Sequence, residues 1–133
     1  MGILNNKPPR PTSAKVTTKK VGDGAEDAAL EYLLDKGMQL VARNYRTPGR
    51  GGGEIDLIVR APDGTLVFVE VRKRSKASHG GAAASVSFAK QRRIIFAARH
   101  FLMGLQKLPP CRFDVMALEP DGTEWLQAAF DAA

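Results

Sequence analysis

Two acidic residues on neighbouring predicted strands are the residues of this chain best suited to chemistry. Asp56 lies in the segment GEIDLIVR and Glu70 in the segment LVFVEVR, and both segments are predominantly apolar. Their Ile, Leu, Val and Phe content predicts two β-strands, Glu54–Arg60 and Leu66–Arg74. Two neighbouring carboxylates offer the oxygen ligands that hold magnesium beside a phosphate.

The segment between the strands decides whether the two acids meet. In residues 61–65, APDGT, proline suits the first central position of a type I turn, aspartate the second, and glycine the left-handed position that follows. In the register set by this three-residue loop, Asp56 lies directly opposite Glu70 on one face of a hairpin. A two-residue loop would place Asp56 opposite Val71 and separate the acids.

Like charges directly opposite each other destabilise a hairpin, so this pair requires compensation. A divalent cation held by Asp56 and Glu70 would provide it. The alternative is a solvated outer face, on which Glu54 forms a cross-strand ion pair with Arg72 and the repulsion between the two acids is tolerated.

A third acid lies on a predicted first helix. Residues 24–36 have good helix formers and end at Gly37, and Glu26 shares a face with Leu30 and Leu33. Glu26 therefore points toward the core, as a site residue would. Its alternative role is a helix cap, because Asp23 and Glu26 match the reciprocal capping pattern.

Lys90 is the basic counterpart of these acids. A helix that starts at Ser85 or Ser87 and runs to about Gly104 has an apolar stripe through Ile94, and Lys90 lies one turn before it. Lys90 would point toward the sheet near the helix start, where a phosphate can bind. The alternative is a lysine that extends along the edge of the core.

Composition excludes several classes of site. The chain has 133 residues, one cysteine (Cys111) and two histidines, so it has no disulfide framework and no Cys/His zinc pattern. No apolar run reaches the length of a membrane-spanning helix, and no apolar secretory segment is present at the N-terminus. We therefore expect a cytoplasmic protein with no membrane partner.

The positive charge is concentrated around the acids. Residues 43–107 carry thirteen Lys or Arg and four acids, within a chain of net charge +6. This distribution suits a polyanion held by basic side chains beside a metal held by the acids. The alternative is that the basic residues solvate the surface. The candidate nucleic-acid-binding residues are Arg50, Arg74, Arg92 and Arg93.

The predicted domain organisation is simple. Residues 1–22 form a mobile basic arm, and residues 23–133 form a single domain. The predicted order is helix, three strands, helix, two strands, which indicates an α/β (α+β) domain with a central mixed sheet flanked by helices. The remaining predicted strands are Met38–Tyr45, Cys111–Leu118 and Thr123–Phe130.

These segments together resemble the YraN family. The resemblance rests on Glu26, on GEIDLI at residues 53–58, on VFVEVR at 67–72, on Lys90 and on RFDVM at 112–116. That family is similar to the restriction-endonuclease-like PD-(D/E)xK nuclease superfamily, which includes Holliday-junction resolvases. The resemblance implies a restriction-endonuclease-like core and a nuclease that acts on DNA rather than RNA, with branched DNA as a substrate and with a homodimer as its assembly.

The resemblance also implies roles for individual residues. Asp56, Glu70 and Glu26 would hold magnesium, with manganese as a substitute, and the carbonyl of Val71 would be a further ligand. Lys90 would contact phosphate.

One position departs from the superfamily pattern, because Arg72 stands where the motif has lysine. Arginine stays protonated, so it can stabilise charge on a phosphate but cannot act as a general base. Two alternatives to a nuclease therefore stay open: an inactive nucleic-acid-binding module of the same fold, and an assembly component that binds another protein through a sheet edge.

Overall fold

The computed structural model describes residues 13–74, 81 and 85–132, with side chains from residue 24 onward. Two helices and five strands lie within this part of the chain. They are α1 (Ser13–Asp35), β1 (Gln39–Arg46), β2 (Glu54–Arg60), β3 (Leu66–Lys73), α2 (Phe88–Leu102), β4 (Cys111–Glu119) and β5 (Gly122–Phe130). The predicted order α-β-β-β-α-β-β and the α+β class are confirmed.

The five strands form one mixed sheet in the order β1-β2-β3-β4-β5. Neighbouring strands are antiparallel except β3 and β4, which run parallel. A parallel pair requires a crossover connection, and α2 lies in the connection between β3 and β4. The central strands β2 and β3 are buried along most of their length, which explains their nearly continuous apolar sequences.

The two helices pack on opposite faces of the sheet. Side chains alternate along β3, so that Phe68 faces α2 and Val67 faces α1. Helix α1 contributes Ala29 and Leu33 to one core, and α2 contributes Ile94, with Ala97 and Ala98, to the other. Ile58 of β2 and Phe68 of β3 therefore lie on the α2 side. By the alternation along β3, this is also the side expected for Glu70.

Helix α1 begins earlier than predicted. It starts at Ser13 rather than Gly24, because helix propensity is a weak prior and the glycines of the segment do not interrupt it. Asp23 consequently lies inside the helix, so the capping interpretation of Glu26 is wrong. Of the predicted basic arm, residues 1–12 lie outside the described residues.

The end of α1 follows the prediction. Gly37 has a left-handed backbone, with φ of 93°, and the amide of Met38 donates to the carbonyl of Leu33 at 3.1 Å. This is the bonding pattern of a helix closed by a left-handed glycine. Neither α1 nor α2 is sufficiently long and apolar to cross a membrane.

The β2–β3 hairpin has the predicted register. Ile58 pairs with Phe68 and Leu57 with Val69, and Gly64 is left-handed with φ of 93°. The three-residue loop is thus confirmed over the two-residue alternative. Of the two candidate caps of the second helix, the structure uses Ser87, whose side chain accepts a hydrogen bond from the amide of Lys90 at 3.1 Å.

A side-chain hydrogen bond connects β1 to the end of α2. The hydroxyl of Tyr45 and Nδ1 of His100 form a hydrogen bond of 2.5 Å, and the Tyr45 ring packs edge-on against Phe101 at 5.2 Å between centroids. The pair is partly buried, so neither polar group is freely hydrated.

We expect Tyr45→Phe to lower the free energy of unfolding by about 1 kcal/mol, because it removes one partly buried hydrogen bond and keeps the ring. Urea unfolding monitored by circular dichroism measures the change. Tyr32→Phe is the matched control, since the Tyr32 hydroxyl has no hydrogen-bond partner among the described residues. Equal effects of the two substitutions would contradict the prediction.

Candidate active site

The ladder between β2 and β3 ends where the two acids lie. Its last pair is Leu57 with Val69. One residue further, Oδ2 of Asp56 accepts a hydrogen bond from the amide of Val71 at 2.8 Å. In a regular ladder the amide of Val71 would donate to a backbone carbonyl of β2. Here the side chain of Asp56 is the acceptor instead.

The carbonyl of Val71 points into the same opening. In an antiparallel strand the N–H and C=O of one residue face the same neighbouring strand, and the Val71 N–H faces Asp56 on β2. No β2 residue pairs with Val71 in the described ladder. Strand geometry therefore directs the carbonyl oxygen of Val71 toward the same side of β3 as Asp56. Its place in a ligand set stays a prediction.

Glu70 is buried next to Asp56. Only 4% of Glu70 is exposed, and its register position lies opposite Asp56, directly after the last ladder pair. Burial, together with the negative charge of Asp56, raises the pKa of Glu70 to about 7. A hydrogen bond between the two carboxyl groups contributes in the same direction. Near neutral pH Glu70 is therefore protonated for part of the time.

Two cations contact this buried acid. Nη1 of Arg72 lies 3.4 Å from Oε2 of Glu70, and Nζ of Lys90 lies 3.8 Å from the same oxygen. Their positive charges lower the pKa of Glu70 but do not offset its burial. Both side chains are partly exposed, at 39% and 35%, so they lie between the buried acid and solvent.

The solvated outer face considered as an alternative is not observed. Glu70 is buried, and Glu54 forms its ion pair with Arg46 at 3.8 Å rather than with Arg72. The reason is the position of β1, which places Arg46 directly opposite Glu54 on the other side of β2. The predicted Glu54–Arg72 pair is therefore wrong.

Glu26 reaches the sheet from the α1 side. Its Oε1 lies 3.8 Å from Nη2 of Arg43, and the same Arg43 nitrogen donates to Asp27 at 2.7 Å. Arg43 lies opposite Leu57 in the β1–β2 ladder, one residue from Asp56. Glu26 thus contacts β1 through Arg43, and Arg43 pairs with the strand residue that follows Asp56.

The described part of the chain contains no group of three or more His, Cys, Asp or Glu side chains placed to hold a metal ion. The arrangement that is present has two carboxylates, Asp56 and Glu70, with the Val71 carbonyl beside them. The addition of Glu26 as a third acid ligand stays a prediction.

The chemistry of this donor set fits magnesium. Magnesium takes oxygen ligands and is commonly held by one or two carboxylates together with waters. Burial and the charge of Asp56 make the ionised form of Glu70 costly, so a cation between the two carboxylates would be favoured. A divalent cation would favour the ionised form of Glu70 and reduce its repulsion with Asp56.

A glycine-rich loop holds the start of β2 against α2. The amide of Gly53 donates to Oγ1 of the buried Thr47 at 2.8 Å. A Cβ at Gly53 would lie 1.9 Å from the carbonyl oxygen of Arg93, so only glycine permits this approach. The loop thereby fixes the position of the strand that carries Asp56.

Several basic side chains lie in or beside this loop. A cavity of about 230 Å³ lies between the loop, Arg46 and Arg93, and Arg50 is exposed within the loop. Arg46 was not among the predicted binding residues. Its position opposite Glu54 follows from the β1–β2 register, which the sequence did not indicate.

The other predicted binding residues differ in their surroundings. Arg92 is exposed on α2, with its guanidinium carbon 5.7 Å from the centre of the Phe88 ring. Arg74 is only 10% exposed, forms a close ion pair with Glu119, and donates to the carbonyl of Gly81 at 2.7 Å. Arg74 is thus occupied within the chain, whereas Arg92 is available to a partner.

Comparison with known sequences identifies relatives of this chain. The sequence model described as "Uncharacterised protein family UPF0102" matches residues 25–118. A UPF0102 protein of Albidiferax ferrireducens is 69% identical over 116 residues, which cover 87% of this chain and 91% of the relative.

Two further relatives match along almost their whole length. A UPF0102 protein of Paracidovorax citrulli is 59% identical over 99% of both chains, and one of Acidovorax sp. (strain JS42) is 56% identical over 100% of both. The matched region contains Glu26, Asp56, Glu70 and Lys90. The chain therefore belongs to the UPF0102 family, which is the YraN family.

Proposed function

We propose that this protein is a metal-dependent nuclease that hydrolyses DNA phosphodiesters, with branched or flapped DNA as its substrate. The observation that carries the proposal is the buried Glu70. It lies beside Asp56 with a pKa raised to about 7, and two cations contact its carboxylate. Buried acids with strongly shifted pKa values are typical of functional sites.

The proposed roles follow from the contacts. Asp56, Glu70 and the carbonyl of Val71 would hold magnesium or manganese, with Glu26 completing the set. A bound divalent ion supplies charge neutralisation at the phosphate and acidifies a coordinated water. Lys90 would orient the phosphate, since it extends from the start of α2 to within 3.8 Å of Glu70.

Arg72 would stabilise charge rather than move protons. Its guanidinium stays protonated at neutral pH, and it is partly exposed next to Glu70. An arginine there can donate hydrogen bonds to phosphate oxygens as negative charge develops in the transition state. The proton from the attacking water must then leave by another route, such as solvent.

The proposal predicts cleavage that requires a divalent cation. Labelled linear, flapped and four-way DNA substrates should be cleaved with magnesium or manganese, and cleavage should stop when EDTA removes the metal. Co-elution of cleavage with the protein through two different chromatographic steps controls for contaminating nucleases. A pure protein that is inert on all these substrates with either metal would overturn the proposal.

A second candidate is a nucleic-acid-binding module without catalysis. It is favoured by Arg72, which occupies the position of the motif lysine and contacts Glu70 at 3.4 Å. This candidate predicts DNA binding that weakens steeply with salt, without cleavage.

We expect Arg72→Lys to separate the two candidates. If the arginine alone has removed catalysis, the lysine variant should cleave DNA with magnesium where the parent protein does not. The assay is the same DNA panel, and Arg60→Lys, which changes an arginine of the same hairpin at its turn end, is the matched control.

A further inference from the structure

The outer face of α2 carries aromatic rings that the core does not use. Phe88 is 71% exposed and Phe96 is 53% exposed. With Arg92 between them, these residues repeat every fourth position and form one stripe along the helix. The opposite side of α2 provides Ile94 to the core and Lys90 to the candidate active site.

The same helix has a strongly positive charge. Its sequence, FAKQRRIIFAARHFL, contains no acid, and its basic side chains are Lys90, Arg92, Arg93 and Arg99. A cavity of about 350 Å³ is lined by the stripe, by Arg99 and by one acid, Asp131. One nitrogen of Arg99 donates to the carbonyl of Ala132 at 3.2 Å, which leaves its other guanidinium nitrogens for a ligand. The helix thus presents exposed rings and guanidinium groups side by side.

We propose that this face of α2 binds single-stranded nucleic acid, with bases stacked on Phe88 and Phe96 and phosphates held by Arg92 and Arg99. Stacking of bases on aromatic side chains beside a basic groove is the general mode of single-strand binding. The two aromatic positions lie about 12 Å apart along the helix axis, at about 1.5 Å per residue. In a duplex the base faces are stacked on one another, so these rings select an unpaired strand.

Charge disfavours a second copy of this chain as the occupant. Two α2 helices packed through this stripe would bring Arg92 and Arg99 of both copies together, and like charges across an interface oppose association. A polyanion matches the charge of the helix. The exposed rings then favour one whose bases are accessible.

The position of the stripe connects it to the cleavage site. Phe88 lies in the same helical turn as Lys90, whose Nζ is 3.8 Å from Glu70. A strand that leaves the outer face of α2 at this turn, around the N-terminal end of the helix, would reach the candidate active site. This inference rests on the proposed function, and it narrows the substrate to DNA with an unpaired segment next to the bond that is cleaved.

Binding can be measured without cleavage. Fluorescence anisotropy in EDTA should show that the protein binds labelled oligothymidine. We expect Phe88→Ala and Phe96→Ala each to weaken this binding about tenfold and to leave binding of a duplex of equal length unchanged. Phe96→Trp should retain single-strand binding, because the larger ring still stacks. Leu108→Ala is the matched control, since Leu108 is 75% exposed and lies outside the stripe.

Three outcomes would overturn the inference. Equal losses of affinity for the single strand and the duplex would show that the rings do not distinguish unpaired bases from paired ones. Unchanged binding in both alanine variants would exclude the stripe, even if the protein cleaves DNA. Loss of a dimer in sedimentation, without loss of DNA binding, would assign the face to a second copy. If no cleavage is found but the alanine variants lose single-strand binding, the binding surface on α2 is supported and the proposed nuclease activity is contradicted.

Discussion

Replacement of Glu70 by glutamine should abolish metal-dependent DNA cleavage and, in the same protein, increase stability at alkaline pH. Glutamine keeps the shape of the side chain but removes its charge and weakens its binding of a divalent cation. Lewis-acid stabilisation is worth several kcal/mol, so we expect cleavage to fall about a thousandfold or more. The loss is measured on a DNA substrate for which the proposed cleavage by the parent protein has been established.

The stability effect follows from the pKa of Glu70. An ordinary glutamate has a pKa of 4.5, and that of Glu70 is raised to about 7 in the folded protein, mainly because burial disfavours the charged form. Between these two values the folded state binds more protons than the unfolded state, so the free energy of unfolding is greatest at low pH and falls as pH rises through 7. The total change attributable to this group is on the order of 3 kcal/mol.

Glu70→Gln removes this pH dependence, because glutamine remains neutral. In the absence of metal, urea unfolding should show the variant to be more stable than the parent at about pH 8, with the difference shrinking toward about pH 5. Magnesium should increase the stability of the parent at about pH 8 and have much less effect on the variant, since a ligand that binds only the folded state stabilises it.

Glu54→Gln is the matched control for both measurements. Glu54 lies on the same hairpin, but its side chain is 41% exposed and pairs with Arg46 at 3.8 Å. Exposed ion pairs contribute little to stability, so this substitution should change neither the alkaline stability nor cleavage to a comparable extent. If Glu54→Gln reproduced both effects, the special role of the buried acid would be refuted.

The hairpin was predictable because its determinants are local. Residues 61–65 alone specify the turn, and the turn specifies the register that sets Asp56 across from Glu70. The positions of Gly37 and Ser87 at the helix ends were predictable for the same reason, since a cap depends on a few neighbouring residues.

Contacts between distant segments were not predictable in this way. The pairing of Glu54 with Arg46 requires β1 to lie beside β2, and the sequence gives no register for that pair. The ion pair between Arg74 and Glu119 forms because β4 lies beside β3 in the sheet. Both facts become apparent only when the order of strands in the sheet is known.

Asp114 is the clearest case of a residue whose role depends on distant contacts. In the sequence it is one acid in a predicted strand, whereas in the fold it is completely buried. Its carboxylate accepts hydrogen bonds from Nε of Arg112 at 3.0 Å, from Nε1 of Trp125 at 2.9 Å and from the amide of Ala128 at 2.9 Å. These donors come from both β4 and β5.

This carboxylate stabilises an irregular part of the sheet edge. The β4–β5 register shifts between Phe113 and Val115, and Ala128 adopts a left-handed backbone with φ of 52°. A non-glycine residue in that conformation is strained and requires support from its surroundings. The hydrogen bond from the Ala128 amide to Asp114 provides such support.

We therefore expect Asp114→Asn to lower the free energy of unfolding by about 2 to 4 kcal/mol. The amide leaves the partly buried charge of Arg112 without its anionic partner, and its N–H groups face the donors that the carboxylate accepted from. Urea unfolding measures the loss. Asp121→Asn is the matched control, since it changes an exposed acid in the turn between the same two strands. β4 pairs with β3, the strand that carries Glu70, so the hydrogen bonds of Asp114 support the strand next to the candidate active site. A smaller decrease in the free energy of unfolding for Asp114→Asn than for Asp121→Asn would contradict this role.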